Sequence, residues 1–518
     1  MDTLPAAPRT ILSDSDLLET CKQGDLRLFV VIFVTVICLT PLLVLFGVNI
    51  GFGLVMGGLG LLIVAALIIR WPILGFFGIL GCVVLIEQNP LTIHDGTDQL
   101  NVYYWPPNFA GAIERPIGFL FLFIFLVLIC HNLLKRHKPL LGGAFLLPLL
   151  FFLLCVSLGV LHGLMSGGKL KIIILEIRPF WYLFLSYLLA YNLITHKKHI
   201  RTFFWIVIFG AGLKALQGVY IYLIILHGKL AGVREIMAHE ESFFFVAILL
   251  LLLLFCLHYR YRPQFYAALL IVPCLLIALE ANQRRTDYAA FLVGAAVAWV
   301  LIFCVKPHAR KSLLFGMIIF LLVGTCYVIV FANSSGGLAE PARGIVSIFR
   351  PDPQDAASNL YRVLENFDLQ FTAKQSPLIG FGFGKEFLQP LTLPDLTSGD
   401  PSFGGNPFLY VPHNTIYWVW MRLGLLGFLV LWYLFGTIIV RGCLIVRNLQ
   451  HRYLQLVAIY IVAITFIEVM VAYADYQLYT YRNIIYLGLL IGILMKLPQL
   501  DGKKVDLENS STIGVQNG

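Results

Sequence analysis

The sequence predicts an all-α polytopic membrane protein with about 12–14 transmembrane helices and one long outward loop between the late helices. Three observations carry that expectation. Of 518 residues, 59% are hydrophobic and only 13% charged, whereas a soluble domain is about a quarter charged and half apolar. Apolar runs of roughly 18 residues or more, enough to cross a bilayer as a helix, recur from Phe29 to Lys496. No run alternates apolar and polar residues as a barrel strand would, so the helix is the element left to satisfy its own backbone in lipid.

Spans are expected near 29–46, 51–70, 72–87, 116–134, 141–162, 179–195, 202–227, 242–258, 264–281, 287–304, 313–331, 413–440, 455–473 and 481–496. The chain then divides into a cytoplasmic tail (1–28), a bundle with short links (29–331), a long periplasmic loop (332–412), the last helices (413–497) and a disordered cytoplasmic tail (498–518). The start is polar and mixed in charge and does not read as a cleavable signal peptide, so the first span is expected to act as an uncleaved anchor.

The net charge of +9 does not point to nucleic acid, because the basic residues are not gathered in a stripe with interleaved aromatics. Most sit in short links: Arg70, then Lys135 to Lys138, His196 to Arg201, Arg260 with Arg262, Lys306 to Lys311, Arg441 to Arg452, and Lys503 with Lys504. The positive-inside bias puts all of these on the cytoplasmic side. The links around 88–114, 162–178 and 228–241, and the segment 332–412, then face outward. Nearly all of the ten cysteines lie inside apolar runs, without metal or disulfide spacing, where they suit packing.

The arginines that break the bias are the informative ones. Arg178, Arg234, Arg284, Arg285, Arg343, Arg350 and Arg362 fall on the outer side or at outer helix ends. Arg178 precedes Pro179, which suits a first helical turn, so a helix N-terminus is expected there. Its N–H groups and guanidinium would then face one anion together. The plainer reading is an interfacial arginine that snorkels beside Trp181. Arg284 and Arg285 share a tight outer turn before another helix. Glu280 and Asp287 could neutralise one or both of them. His413 follows Pro412 and opens a later span, where a hydrogen-bonded structural role and a base are both open. The Pro377 to Gly384 stretch, with Gly380, Gly382 and Gly384, lacks the spacing of a dinucleotide fingerprint. It reads as a bent, close-packed backbone, with a phosphate nest as the weaker alternative.

In order, sidedness and spacing these residues resemble the O-antigen ligase-like superfamily of membrane glycosyltransferases. The match runs through Arg178, Arg285, Tyr361-Arg362, Pro377 to Gly384, His413-Asn414 and Gly424 to Gly427. The doubled Arg284-Arg285 departs from the family pattern, which usually has a small residue before one arginine. The resemblance implies metal-independent, inverting transfer of a glycan from a polyprenyl (undecaprenyl) diphosphate in O-antigen or exopolysaccharide assembly, with no cofactor. The acceptor would be a hydroxyl of lipid A–core, of another glycan or of protein. The place would be the periplasmic face of a bacterial inner membrane, among membrane lipid. It makes His413 the base, Arg178, Arg285, Arg284 and Arg362 the diphosphate ligands, and Tyr361, Asn414, Gly380, Gly382 and Gly384 the acceptor or loop support. Arginine suits such a leaving group because its fork binds phosphate at two points and stays charged, while an imidazole takes a proton near neutral pH. A lipid-linked oligosaccharide flippase and a scaffold without chemistry are the rival readings. A flippase would favour repeated halves and short loops, which the sequence lacks.

Overall fold

The computed structural model describes residues 52–88, 102–104, 114–134, 140, 142–230, 235–334, 339–351, 353–393 and 406–502. The expected tail 1–28, the expected span 29–46, Arg234 and most of the expected tail 498–518 lie outside these residues. Within them the chain forms fifteen α-helices and no strand. Helix α1 (Phe52–Arg70) belongs to a first compact unit that ends at Trp71. From Pro72 onward a second unit contains α2 (Pro72–Leu85), α3 (Pro116–Leu134), α4 (Leu146–Met165), α5 (Leu170–Leu193), α6 (Lys197–Tyr220), α7 (His239–Leu257), α8 (Arg262–Ala281) and α9 (Arg285–Val305). It continues with α10 (Arg310–Phe331), α11 (Glu340–Phe349), α12 (Pro353–Gln375), α13 (Thr415–Asn448), α14 (Arg452–Ala474) and α15 (Tyr481–Leu500). Among the described residues eleven helices are long and apolar enough to cross a membrane, with shorter apolar helices at Gly57–Arg70 and Pro72–Leu85.

Contacts separate the two ends of this bundle. At one end the basic links meet. Lys306 reaches the carbonyls of Leu257 and His258, Gln264 reaches that of Arg201, and Asp501 accepts the backbone N–H groups of Gln450 and His451. Helices α11 and α12 and the link 475–480 lie at the other end, with the helix starts at Leu170, His239, Arg285, Thr415 and Tyr481. For the links near 201, 257–264, 306 and 450–451 the charge alternation read from the sequence is thus matched by a shared end of the bundle.

The core is organised by a close parallel pair, α5 and α15. A Cβ on Gly488 would lie 2.7 Å from the Leu183 carbonyl oxygen, and one on Gly492 would lie 2.5 Å from Ala190 Cβ. Two small residues four apart let the backbones approach, which is how apolar helices gain packing where lipid offers no hydrophobic drive. The same register brings the starts of both helices, and so Arg178 and Tyr481, together.

Three expectations are corrected. The predicted span 179–195 begins at Leu170, so Arg178 is two turns inside α5 and Pro179 is an interior proline. The argument from a helix N-terminus at Arg178 therefore falls. The run Ile172 to Leu175 before it continues the helix, and membrane helices tolerate proline where neighbours take up the freed backbone groups. The segment 332–412 is not a structureless loop, because α11 and α12 occupy much of its length. The C-terminal helix, expected to stop near 496–497, runs on to Leu500.

Helix α13 breaks at Gly424 (φ +67°, ψ −169°). A break inside a bilayer leaves backbone groups that water cannot satisfy. Here the glycine-rich segment supplies partners. Phe381 N–H donates to the Met421 carbonyl (2.6 Å), Gly382 N–H to that of Arg422 (3.1 Å), and Leu425 N–H to that of Pro377 (2.8 Å). Gly380, Gly382 and Gly384 all have φ between 75° and 86°. Added Cβ atoms would sit 2.4 Å from Arg422 O, 2.7 Å from Gly163 N and 2.5 Å from Ile173 Cγ1. The bent, close-packed reading of this stretch holds.

Gly424→Ala should destabilise the fold by at least about 2 kcal/mol, from forced left-handed backbone and contact with the Leu378 carbonyl. Gly436→Ala, where nothing lies within 4 Å, is the matched control in thermal unfolding in lipid nanodiscs. Equal melting temperatures for the two variants would contradict the docked-break account.

Candidate functional site

The link 475–480 between α14 and α15, with Tyr481 that opens α15, holds three of the sequence-predicted side chains. The first is Arg284. Asn282 is fixed by Met237 N–H (3.1 Å) and by the Ser242 hydroxyl (2.8 Å), and Gln283 takes φ +49°. This turns the chain tightly from α8 into α9 and leaves Arg284 as the N-cap residue. Its guanidinium bonds Asp475 directly and lies 3.8 Å from Asp287. All three side chains are buried. Burial would raise the Asp475 carboxyl, but Arg284, His239 and His413 outweigh it and hold it well below the usual carboxylate range. Arg284 is thus committed to two carboxylates.

Arg285, the first residue of α9, points instead to the outer segment. Its guanidinium approaches the Ser347 hydroxyl (3.4 Å) and carbonyl (3.5 Å) on α11. Arg362 comes from α12 into the same charged group, where Asp475, Arg284, Arg285 and Glu365 all act on it. Burial, reinforced by the other arginines, lowers it from the ordinary arginine value. Among the described residues Arg362 has no hydrogen-bond or ion-pair partner. A half-buried guanidinium without a partner favours an anion.

His413 lies two residues before α13. Asn414 caps that helix by accepting from Tyr417 N–H (3.0 Å), and its own amide donates to Asn366 (2.9 Å). Glu365, one turn along α12 from Arg362, accepts the backbone N–H of His413 at 3.1 Å and faces its Nδ1 at 3.0 Å. Phe408 stacks on the imidazole (4.7 Å, 11°), while Tyr361 and Tyr476 meet it at 5.6 and 6.0 Å. An imidazole that gives its Nδ1 hydrogen to a carboxylate presents Nε2 as a proton acceptor.

Arg178 is anchored at the far end of the same link. Its Nη1 donates to the Tyr481 hydroxyl (3.1 Å), and Nε lies 3.7 Å from Glu114, which also accepts from Tyr182 (2.7 Å). The structure therefore groups Arg284, Arg285, Arg362, His413 and Tyr361. Arg178 is joined to them through 475–481.

Several residues were missed. Glu365, Asp475, Tyr476 and Tyr481 hold the predicted set in place. Beneath them lies a buried network. Arg482 reaches Glu241, Glu240 (3.7 Å) and the carbonyls of Val83 (2.7 Å) and Val84 (3.1 Å), and Lys214 reaches Glu87 (2.7 Å). Gln88 links it upward, accepting Tyr481 N–H at 2.6 Å and donating its own N–H to Glu240 at 3.0 Å. A signal existed for part of this: ionisable residues within apolar spans are rare enough to be functional or structural markers by default. No known family model and no curated protein matches the chain.

Arg284→Ala should destabilise the folded protein by about 3–5 kcal/mol, because it strands two buried carboxylates. Arg285→Ala should leave the unfolding temperature near that of the wild type. Differential scanning measurements on both variants in nanodiscs decide it; the reverse ranking would mean that Arg285 is the structural member of the pair.

Proposed function

We propose that this chain is a membrane glycosyltransferase of the O-antigen ligase and polymerase type. It moves a glycan from polyprenyl (undecaprenyl) diphosphate to a hydroxyl at the outer face of a bacterial inner membrane. The observation that carries this reading is the pairing of His413 with Glu365 one helical turn from Arg362. A base and an anion-seeking cation lie on one short stretch of α12 and the start of α13.

In this mechanism the acceptor oxygen attacks the anomeric carbon as the bond from that carbon to the diphosphate oxygen breaks. The acceptor proton passes to Nε2 of His413, and Glu365 stabilises the imidazolium through Nδ1. The electron pair of the broken bond leaves with the polyprenyl diphosphate. Arg285 and Arg362 meet the charge that develops there, where preorganised donors lower the barrier most. Arg178, buried and held by Tyr481 and Glu114, adds positive charge behind them. Arg284 acts by positioning Asp475 and the start of α9, not as a diphosphate ligand. The acceptor class is lipid A–core, a growing glycan or a protein hydroxyl, and the chemistry is the same for each.

Single-turnover transfer by purified protein from lipid-linked repeat units tests the reading. His413→Ala and His413→Gln should both lose on the order of 10²–10⁴-fold in rate, because neither side chain accepts a proton near neutral pH. Arg285→Lys should recover little of the activity lost in Arg285→Ala, since a point charge does not reproduce the two-point fork. A Gln variant close to wild type removes the base, and full activity in the Lys variant removes the fork.

A further inference from the structure

The first turn of α7 divides its charges between two neighbours. Glu240 and Glu241 face the buried Arg482. His239 faces the candidate site and stands edge-on to Tyr476, with ring centroids 6.2 Å apart. Tyr476 is in turn 6.0 Å from His413. One tyrosine thus meets two imidazoles, and Asp475 beside it interacts electrostatically with both. Each imidazole has a glutamate at Nδ1: Glu365 at 3.0 Å from His413, and Glu235 at 3.3 Å from His239. The His239 side chain is 35% exposed while its Nδ1 is buried, so its exposed edge carries Nε2. Arg284 and Arg362 also act on this imidazole. The mechanism above uses neither Glu235 nor His239.

We propose that His239 is a second imidazole of the site, donating a hydrogen bond from Nε2 to the donor's diphosphate beside Tyr476, the ring that also meets the base His413. The proposal rests on the glycosyl-transfer reading and adds a specific ligand to it. The two pairs have opposite polarity. Glu365 is an acceptor, because it also takes the backbone N–H of His413. Glu235 is pushed up to about 7 by burial, with Asp475, Asp287 and Glu240 adding to the rise and Arg284 opposing it. Its protonated form is therefore accessible near neutral pH. A protonated Glu235 gives that hydrogen to Nδ1, which leaves the hydrogen of the neutral imidazole on Nε2. The present contact is off the hydrogen-bond direction, and such contacts tighten as substrate binds. The result is an N–H aimed at an anion where His413 offers a lone pair to a hydroxyl.

The test titrates nanodisc-embedded wild type, His239→Ala and His239→Gln with undecaprenyl diphosphate and with undecaprenyl phosphate. Loss of one hydrogen bond to a charged group predicts about tenfold weaker diphosphate binding in the Ala variant. The Gln variant, which keeps an N–H donor, should stay within about threefold of wild type. Unchanged diphosphate affinity in the Ala variant, or equal losses in both, overturns the proposal. If the Ala variant does not fold, carbethoxylation of His239 in the wild type gives the answer by mass spectrometry. Protection by undecaprenyl diphosphate is expected, and equal labelling with and without it overturns the proposal. Wild type that binds the diphosphate with no dependence on His239 sinks this inference alone. Wild type that does not bind it at all sinks the glycosyl-transfer reading as well.

Discussion

The ion pair between Arg422 and Glu176 is the fixed point from which the end of the molecule that carries the candidate site is built. Both side chains have no exposed surface, and they meet at 2.6 Å between α13 and α5. Arg422 also donates from Nη1 to the carbonyl of Gly382 (3.0 Å) and from Nη2 to that of Tyr410 (2.9 Å), while Glu176 also accepts Gly384 N–H. A buried pair of this kind adds little net stability, since desolvation offsets most of the attraction, but it fixes register. Register is what the outer segment requires. Its glycine turns close the break in α13, and its Tyr410 carbonyl, shared with Trp418 Nε1 at 2.9 Å, sets the chain three residues before His413.

The link 475–481 performs the matching task on the other side. Asp475 fixes Arg284 and the start of α9, Tyr476 meets both His413 and His239, and Tyr481 carries Arg178. This link is itself held by the tight α5–α15 contact and, through Gln88, by the buried Arg482 network. The residues that would meet a substrate are therefore set by paired charges one layer deeper. Arg362, which has no such pairing among the described residues, stands out for that reason.

Much of this was legible in the sequence. Charge in the short links gave the alternation of the helices, because apolar length and the positive-inside bias act locally. The turn at Arg284-Arg285 and the helix start after His413 follow from flanking residues and were placed correctly. The start of α5 was not, since Pro179 reads as a first-turn residue unless the neighbouring helices that accommodate it are known. The partners of the site residues were also out of reach. Glu365 lies 48 positions from His413, and Asp475 lies 191 from Arg284, so only the packed bundle brings them together. The sequence left open which arginine of the doubled pair is structural. Arg284 is the member of the pair that is buried against Asp475.

A glycosyltransferase and a flippase would both place cations at an outer helix end, but they differ in what happens to the donor's covalent bonds. Nanodiscs expose both faces of the membrane and leave a flippase nothing to accomplish. The direct measurement is the fate of undecaprenyl-diphosphate-linked glycan given to the purified chain in nanodiscs with a hydroxyl acceptor. The account predicts one released undecaprenyl diphosphate for each new glycosidic bond. Donor recovered intact, while the same protein in sealed proteoliposomes moves it between leaflets, would contradict the account.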